Sequence, residues 1–148
     1  MQEEAFNRYS LLLDCTARRV KQYAQFQFNQ GNYGVTVDQW IVLKNLNESD
    51  NITQKELAKL CGKDQPTLTR IIDLLVKKEY VNRVIHKQDR RSFIVRLTDL
   101  GKRKVKEMSP YVKDIRMKAW ENLGESDFKH LQRILNTIYN NLELKDND

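Results

Sequence analysis

Apolar residues recur at helical spacing over most of the chain, and the period changes in one short stretch. Residues 3–28 place Phe6, Tyr9, Leu13, Val20 and Tyr23 among charged neighbours, the pattern of one long amphipathic helix. The polar run from Asn29 to Gly34 predicts a loop. Thr36 and Gln39 have the form of a capping box, in which both side chains satisfy free N–H groups at a helix start. A second helix is expected through Trp40, Leu43 and Leu46, ending in the polar stretch 47–51.

A second capping box, Thr53 with Glu56, opens a short helix carrying Leu57, Ala58, Leu60 and Cys61. Gly62 permits a tight turn. Asp64 then caps a further helix, and Pro66 is tolerated in its first turn because the missing N–H has no helical partner there. Leu68, Ile71, Ile72 and Leu75 form one apolar stripe, while Thr69, Arg70 and Asp73 lie opposite, with Gln65 and Thr67 in the exposed first turn. A short helix, a glycine turn and an amphipathic helix with a polar outer face make a helix-turn-helix.

The period then switches to two. Val81–Ile85 is strand-like, and Phe93, Val95 and Leu97 alternate with Ile94 and Arg96. The seven polar residues between them, His86 to Ser92, predict a β-hairpin with a protruding basic tip. Thr98 caps a helix rich in Lys102, Arg103, Lys104 and Lys106. Pro110, after Ser109, is expected to kink or restart that helix, which continues through Ile115 and Trp120. Gly124 breaks the chain, Ser126 is the expected cap, and Phe128, Leu131, Leu135, Ile138 and Leu142 form a final stripe. The expected fold class is mainly α with a small β-hairpin wing, a winged helix-turn-helix. With no internal repeat or linker, residues 1–148 are read as one domain.

Composition narrows the function classes. With 40% hydrophobic and 31% charged residues, the chain is expected to be soluble and globular. It has no apolar run of membrane-spanning length, and its polar, acidic start does not resemble a signal peptide, so the default expectation is a cytoplasmic protein without membrane contact. Two distant cysteines, Cys15 and Cys61, and two histidines, His86 and His130, offer no metal-ligand spacing. There is no glycine-rich phosphate loop, no His/Asp/Ser set and no carboxylate cluster, so neither an enzyme nor a cofactor is expected.

The net charge of +6 matters less than its distribution. Residues 77–106 hold eleven Lys/Arg and three acids, a local +8 that leaves −2 on the rest of the chain. A basic segment on a slightly acidic body suits a polyanion, although charge alone would also fit a solvated surface. Double-stranded DNA is the natural partner, because a major groove about 12 Å wide accepts an α-helix. Gln65 suits an adenine edge, Thr67 and Thr69 a thymine methyl or a phosphate, and Arg70 a guanine. Thr53, Gln54 and Lys55 at the capped helix start, and Lys87 on the hairpin, suit phosphate. Arg91 suits a narrow minor groove, held by Asp89 and flanked by Arg90 and Ser92. Alternatively these tip residues form an ordinary solvated turn.

Several of these segments together resemble the multiple-antibiotic-resistance-regulator (MarR) family. They are Glu56-Leu57-Ala58, the run from Pro66 to Leu75, Lys77-Lys78, Asp89-Arg90-Arg91-Ser92, Val95-Arg96-Leu97-Thr98 and Gly101. The resemblance implies a homodimer built from terminal helices at about 3–30 and 99–144, with a winged helix at about 36–98. It further implies a repressor released from a pseudo-palindromic operator by a small aromatic or amphipathic effector. Tyr23, Phe26 and Trp40 are the effector candidates it suggests, with Tyr33 and Trp120 also aromatic; core and interface packing is the alternative for all of them. Cys15 lies about where an oxidant-sensing branch carries its reactive cysteine, so a thiol-based repressor is one alternative function and a protein-interaction winged helix another. Two departures stand out. Glu79 replaces the usual glycine after the recognition helix, and Lys63 replaces an apolar residue, which predicts a less tightly packed turn.

Overall fold

A computed structural model describes residues 2–49, 51–89 and 92–144. The elements run α1 (Glu3–Gly31), α2 (Val37–Glu48), β1 (Ile52–Thr53), α3 (Gln54–Cys61), α4 (Gln65–Lys77), β2 (Val81–Ile85), β3 (Phe93–Leu97), α5 (Asp99–Lys118) and α6 (Glu125–Asn141). The described chain falls into two compact units, one ending at Arg116 and the other beginning at Met117.

The capping signals are used as the sequence suggests. At α2, the Gln39 N–H donates to Thr36 Oγ1 and the Thr36 N–H donates to Gln39 Oε1, both at 3.1 Å. At α3, the Glu56 N–H donates to Thr53 Oγ1 at 3.2 Å and the Thr53 N–H to Glu56 Oε2 at 3.1 Å. The first helix runs on to Gly31, where Asn32 closes it in the left-handed conformation.

The sheet has the order β1-β3-β2 and is antiparallel throughout. Strand β3 is central, pairing Val95 with both Ile52 and Arg83. Sequence reading found the hairpin but missed β1, because two residues carry no detectable period. What makes β1 a strand is tertiary: Ile52 is buried beside Val95, itself fully buried. Leu43, Leu57, Leu68, Ile72, Leu75, Val81, Val95 and Met108 form the heart of the core, each removed from solvent. Burial of a side chain of this size contributes about 1.5–3 kcal/mol. The four stripe residues of α4 are all buried, so the opposite face is left for solvent or a partner.

Three boundaries differ from expectation. Helix α5 runs uninterrupted through Pro110; the proline removes one N–H donor, but buried Met108 and Val112 anchor the helix on both sides of it. Ser109 is no cap here, its hydroxyl donating instead to the Val105 carbonyl at 2.6 Å. The helix ends at Lys118, so Trp120 lies in a turn that includes left-handed Asn122. The start of α6 is Gly124, whose N–H donates to Asp127 Oδ2 at 2.9 Å, with Ser126 inside the first turn. In this second unit Trp120 meets Phe128 edge to face, and no residue of α6 is buried.

Candidate nucleic-acid interface

The turn between α3 and α4 sets how α4 emerges. Gly62 is left-handed (φ 63), and the Lys63 N–H returns to the Ala58 carbonyl at 3.0 Å. Asp64 then accepts from the Thr67 N–H at 2.7 Å, and that backbone hydrogen bond holds its carboxyl below the usual aspartate range. With the stripe buried, Gln65 and Arg70 stand exposed at the start of α4, and Thr67 is half-buried beside them. Lys55 is exposed on the first turn of α3, while Thr53 and Gln54 are half-buried.

Three of the expected DNA contacts near the α3 and α4 starts, Thr53, Gln54 and Thr69, are already engaged within the protein. Thr69 Oγ1 donates to the Gln65 carbonyl at 2.9 Å and accepts from Gln54 Nε2 at 2.7 Å. The Thr53 hydroxyl is the N-cap acceptor of α3. Sequence reading also missed a member of the site. Arg83, on β2, reaches α4 with one guanidinium nitrogen 2.6 Å from Asp73 Oδ1 and another donating to the Thr69 carbonyl at 3.2 Å. Its Nε approaches Gln54 Oε1 at 3.4 Å. Strict alternation on β2 gives no sign of this, because the partners lie 10 to 29 residues away in sequence.

At the hairpin, the His86 N–H donates to the Ser92 carbonyl at 3.0 Å, closing the pairing beyond the last β2–β3 register pair. The His86 ring nitrogen Nδ1 accepts from the N–H groups of Gln88 and Asp89 at 3.1 and 3.2 Å, so this ring organises the tip. The Ser92 hydroxyl donates to Asp89 Oδ2 at 3.2 Å. Lys87 and Asp89 are exposed. Arg90 and Arg91, singled out above, lie outside the described residues.

Polar bridges tie this reading head to α1. Asp38, at the start of α2, pairs with Lys21 of α1 at 2.9 Å and with Lys63 of the turn at 2.8 Å. Burial pushes the Asp38 carboxyl up, but the hydrogen bonds and charges of the two lysines outweigh it and leave its pKa lowered. Lys63 thus replaces an apolar contact with an ion pair across the turn. Lys78, capping α4, donates to the Gly34 carbonyl at 2.7 Å and to Gln39 Oε1 at 3.0 Å. Gln39 is buried, and its Oε1 accepts from both that ammonium and the Thr36 N–H.

The other candidates separate by burial. Trp40, named above among the effector candidates, is 3% exposed and packs in the hydrophobic core. Phe26 is 57% exposed and Tyr23 is at the edge of exposure, both on α1. Tyr33 packs between Phe28 and Tyr111, with centroids 5.9 and 5.5 Å away. Cys15 is exposed on α1, whereas burial pushes the Cys61 thiol pKa up, against the opposing influence of Lys63 and Asn45. Among the described residues no group of three or more His, Cys, Asp and Glu is placed to hold a metal ion, and no helix is long and apolar enough to cross a membrane.

Comparison with known proteins places this geometry. The profile of the MarR family matches residues 35–93, from the loop before α2 to the first residue of β3. A protein of unknown function from Listeria innocua is 30% identical, with 95% of this chain and 96% of that one covered and a TM-score of 0.68. A MarR mutant from E. coli, complexed with operator DNA, is 25% identical over 87% of this chain and 91% of its own, at a TM-score of 0.78. S. aureus MepR, in a complex with DNA, shares the fold at a TM-score of 0.80 and 24% identity, with 90% and 98% covered. The outward polar face of α4, the three-stranded wing behind it and these matches together make the chain a member of the MarR family of DNA-binding transcriptional regulators.

Proposed function

We propose that the chain is a sequence-specific transcriptional repressor that binds a pseudo-palindromic operator as a homodimer and leaves it when a small aromatic or amphipathic effector binds. The observation that carries the reading is the start of α4, where Gln65, Thr67 and Arg70 face outward over a buried apolar stripe. An arginine is suited to guanine and a glutamine to adenine in the major groove. Lys55, Lys87 and Lys102 are exposed cations that neutralise phosphate, and Arg91, outside the described residues, is the sequence candidate for the minor groove. Thr69 and Gln54 serve the site from behind, through the hydrogen bonds that hold α4. The E. coli relative bound to operator DNA supports the same partner for this chain.

Dimerisation follows from apolar surface. Phe6, Tyr9, Leu11 and Leu12 on α1 are each more than half exposed, and Ile134, Leu135 and Ile138 on α6 are each more than a third exposed. Exposed apolar side chains of this kind on each helix of a lone chain would drive association. Tyr23 and Phe26 are the aromatic groups on α1 left available to an effector. Two recognition helices related by a two-fold axis read half-sites about one DNA turn apart. Selecting bound duplexes from genomic DNA, with sedimentation of the free protein, tests both halves of the proposal. An enriched inverted repeat and a dimer at micromolar concentration are expected; a stable monomer without sequence preference overturns it.

Exposure of Cys15 favours a second reading, oxidant control. Its free thiol on α1 is therefore open to an oxidant. Titration with an organic hydroperoxide distinguishes the two. Loss of operator binding that Cys15→Ser prevents supports the redox reading, and binding that survives stoichiometric oxidant ends it.

A further inference from the structure

We propose that Arg83 is a positioning residue for base recognition, locking the rotation of α4 against the wing although its own guanidinium faces the protein. The inference rests on the DNA-reading function above and deepens it. Three elements meet on this one side chain. From β2 it bonds Asp73 and the Thr69 carbonyl on α4 and touches Gln54 on α3. The bonds continue outward. Gln54 Nε2 donates to the Thr69 hydroxyl, which donates to the carbonyl of Gln65 in the first turn of α4. A connected path therefore runs from the sheet to the turn whose side chains face the groove.

Geometry suits arginine alone among the cations. The guanidinium is a rigid planar fork that reaches Asp73 and Thr69 together, whereas a lysine ammonium is a point charge on a flexible stem. The apolar stripe resists lifting of α4 from the core, but such contacts are non-directional and leave rolling about the helix axis weakly opposed. Hydrogen bonds to a backbone carbonyl and a carboxylate one turn apart oppose that roll directly. The pairing also neutralises Asp73, whose carboxylate is half exposed on the polar face of α4 and would otherwise repel phosphate. Because β2 leads into the hairpin tip, one residue couples the orientation of both groove-facing elements.

Arg83→Lys, Arg83→Gln and Asp73→Asn test the idea beside the wild type. Each protein is first melted by circular dichroism to establish that it is folded at the assay temperature. Affinity is then measured for the duplex the wild type enriches and for random duplex of equal length. Arg83→Lys keeps the charge, so random duplex should bind as it does to the wild type while preference for the enriched site falls at least about fivefold, the low end for loss of one base contact. Arg83→Gln should lose at least as much preference, and Asp73→Asn, which reduces one charged pair to a bond with a neutral acceptor and removes a half-exposed charge, should lose preference without losing affinity for random duplex. Undiminished preference in Arg83→Lys, or equal loss on both duplexes, overturns the proposal. If the lysine variant is unfolded, undiminished preference in Asp73→Asn does so. A wild type that enriches no sequence defeats the DNA-reading function itself, a result distinct from any of these.

Discussion

Thr98 Oγ1 donates to the Glu79 carbonyl oxygen at 2.6 Å, and Glu79 is itself in the left-handed region, with φ 64. The same residue ends α4 in a Schellman arrangement: its N–H donates to the Val76 carbonyl at 2.9 Å, and that of Tyr80 donates to Leu75 at 3.0 Å. A side chain with a Cβ is strained there, and only the surrounding hydrogen bonds hold it. Glu79→Gly should therefore stabilise the protein by about 0.5–1 kcal/mol, the relief of strain exceeding the added freedom of the unfolded chain. Urea unfolding measures it, and a destabilised variant would show that the strain is absorbed elsewhere.

Gly101 faces the opposite constraint. It is buried at the start of α5, and a Cβ there would press into the Tyr80 carbonyl oxygen, a backbone atom that cannot turn aside. Its N–H also donates to Thr98 Oγ1 at 3.0 Å, so the start of α5 cannot slide away freely. Gly101→Ala should cost about 1–3 kcal/mol despite the better helix propensity of alanine. Thermal denaturation decides between the two effects.

Asp38 predicts an acid-sensitive brace. Its folded-state pKa lies below the ordinary value, so the stability it contributes is present above the unfolded pKa and is lost as pH falls through the folded one. The window is thus below about pH 4. Asp38→Asn should lower stability at pH 7 and should flatten the decline of stability on acidification. Unfolding curves at pH 7 and pH 3 test this; equal wild-type and variant slopes would remove Asp38 from the account.

Arg70 and Lys102 should fail differently. Both are exposed, one on the first turns of α4 and the other on α5. Arg70→Ala should cost about 1–3 kcal/mol on the preferred site and relax preference at one base position. Lys102→Ala should weaken all duplexes alike and reduce the salt slope of binding by about one. Affinities measured over a range of salt concentrations separate the two, and uniform loss from Arg70→Ala would make it a phosphate contact instead.

Local chemistry accounts for what was legible without coordinates. Capping boxes at Thr36 and Thr53, the Gly62 turn and the Leu68–Leu75 stripe each act within a few residues, so order in the chain is enough to read them. The alternation of β3 likewise announces a strand, although of its apolar face Val95 is buried, Leu97 half-buried and Phe93 exposed. Such signals determined the helix-turn-helix, the hairpin and the outward placement of Gln65 and Arg70. Tertiary structure alone decided the rest. Pro110 reads as a kink or restart, but burial of Met108 and Val112 outweighs one lost hydrogen bond. Trp40 reads in the sequence as packing or as an effector contact, and its burial is decided by the residues around it. Ile52–Thr53 becomes a strand because β3 offers a free edge, and Arg83 meets Asp73 because β2 passes beside α4. These choices depend on partners distant in sequence, where the energy lies in contacts that no local pattern encodes.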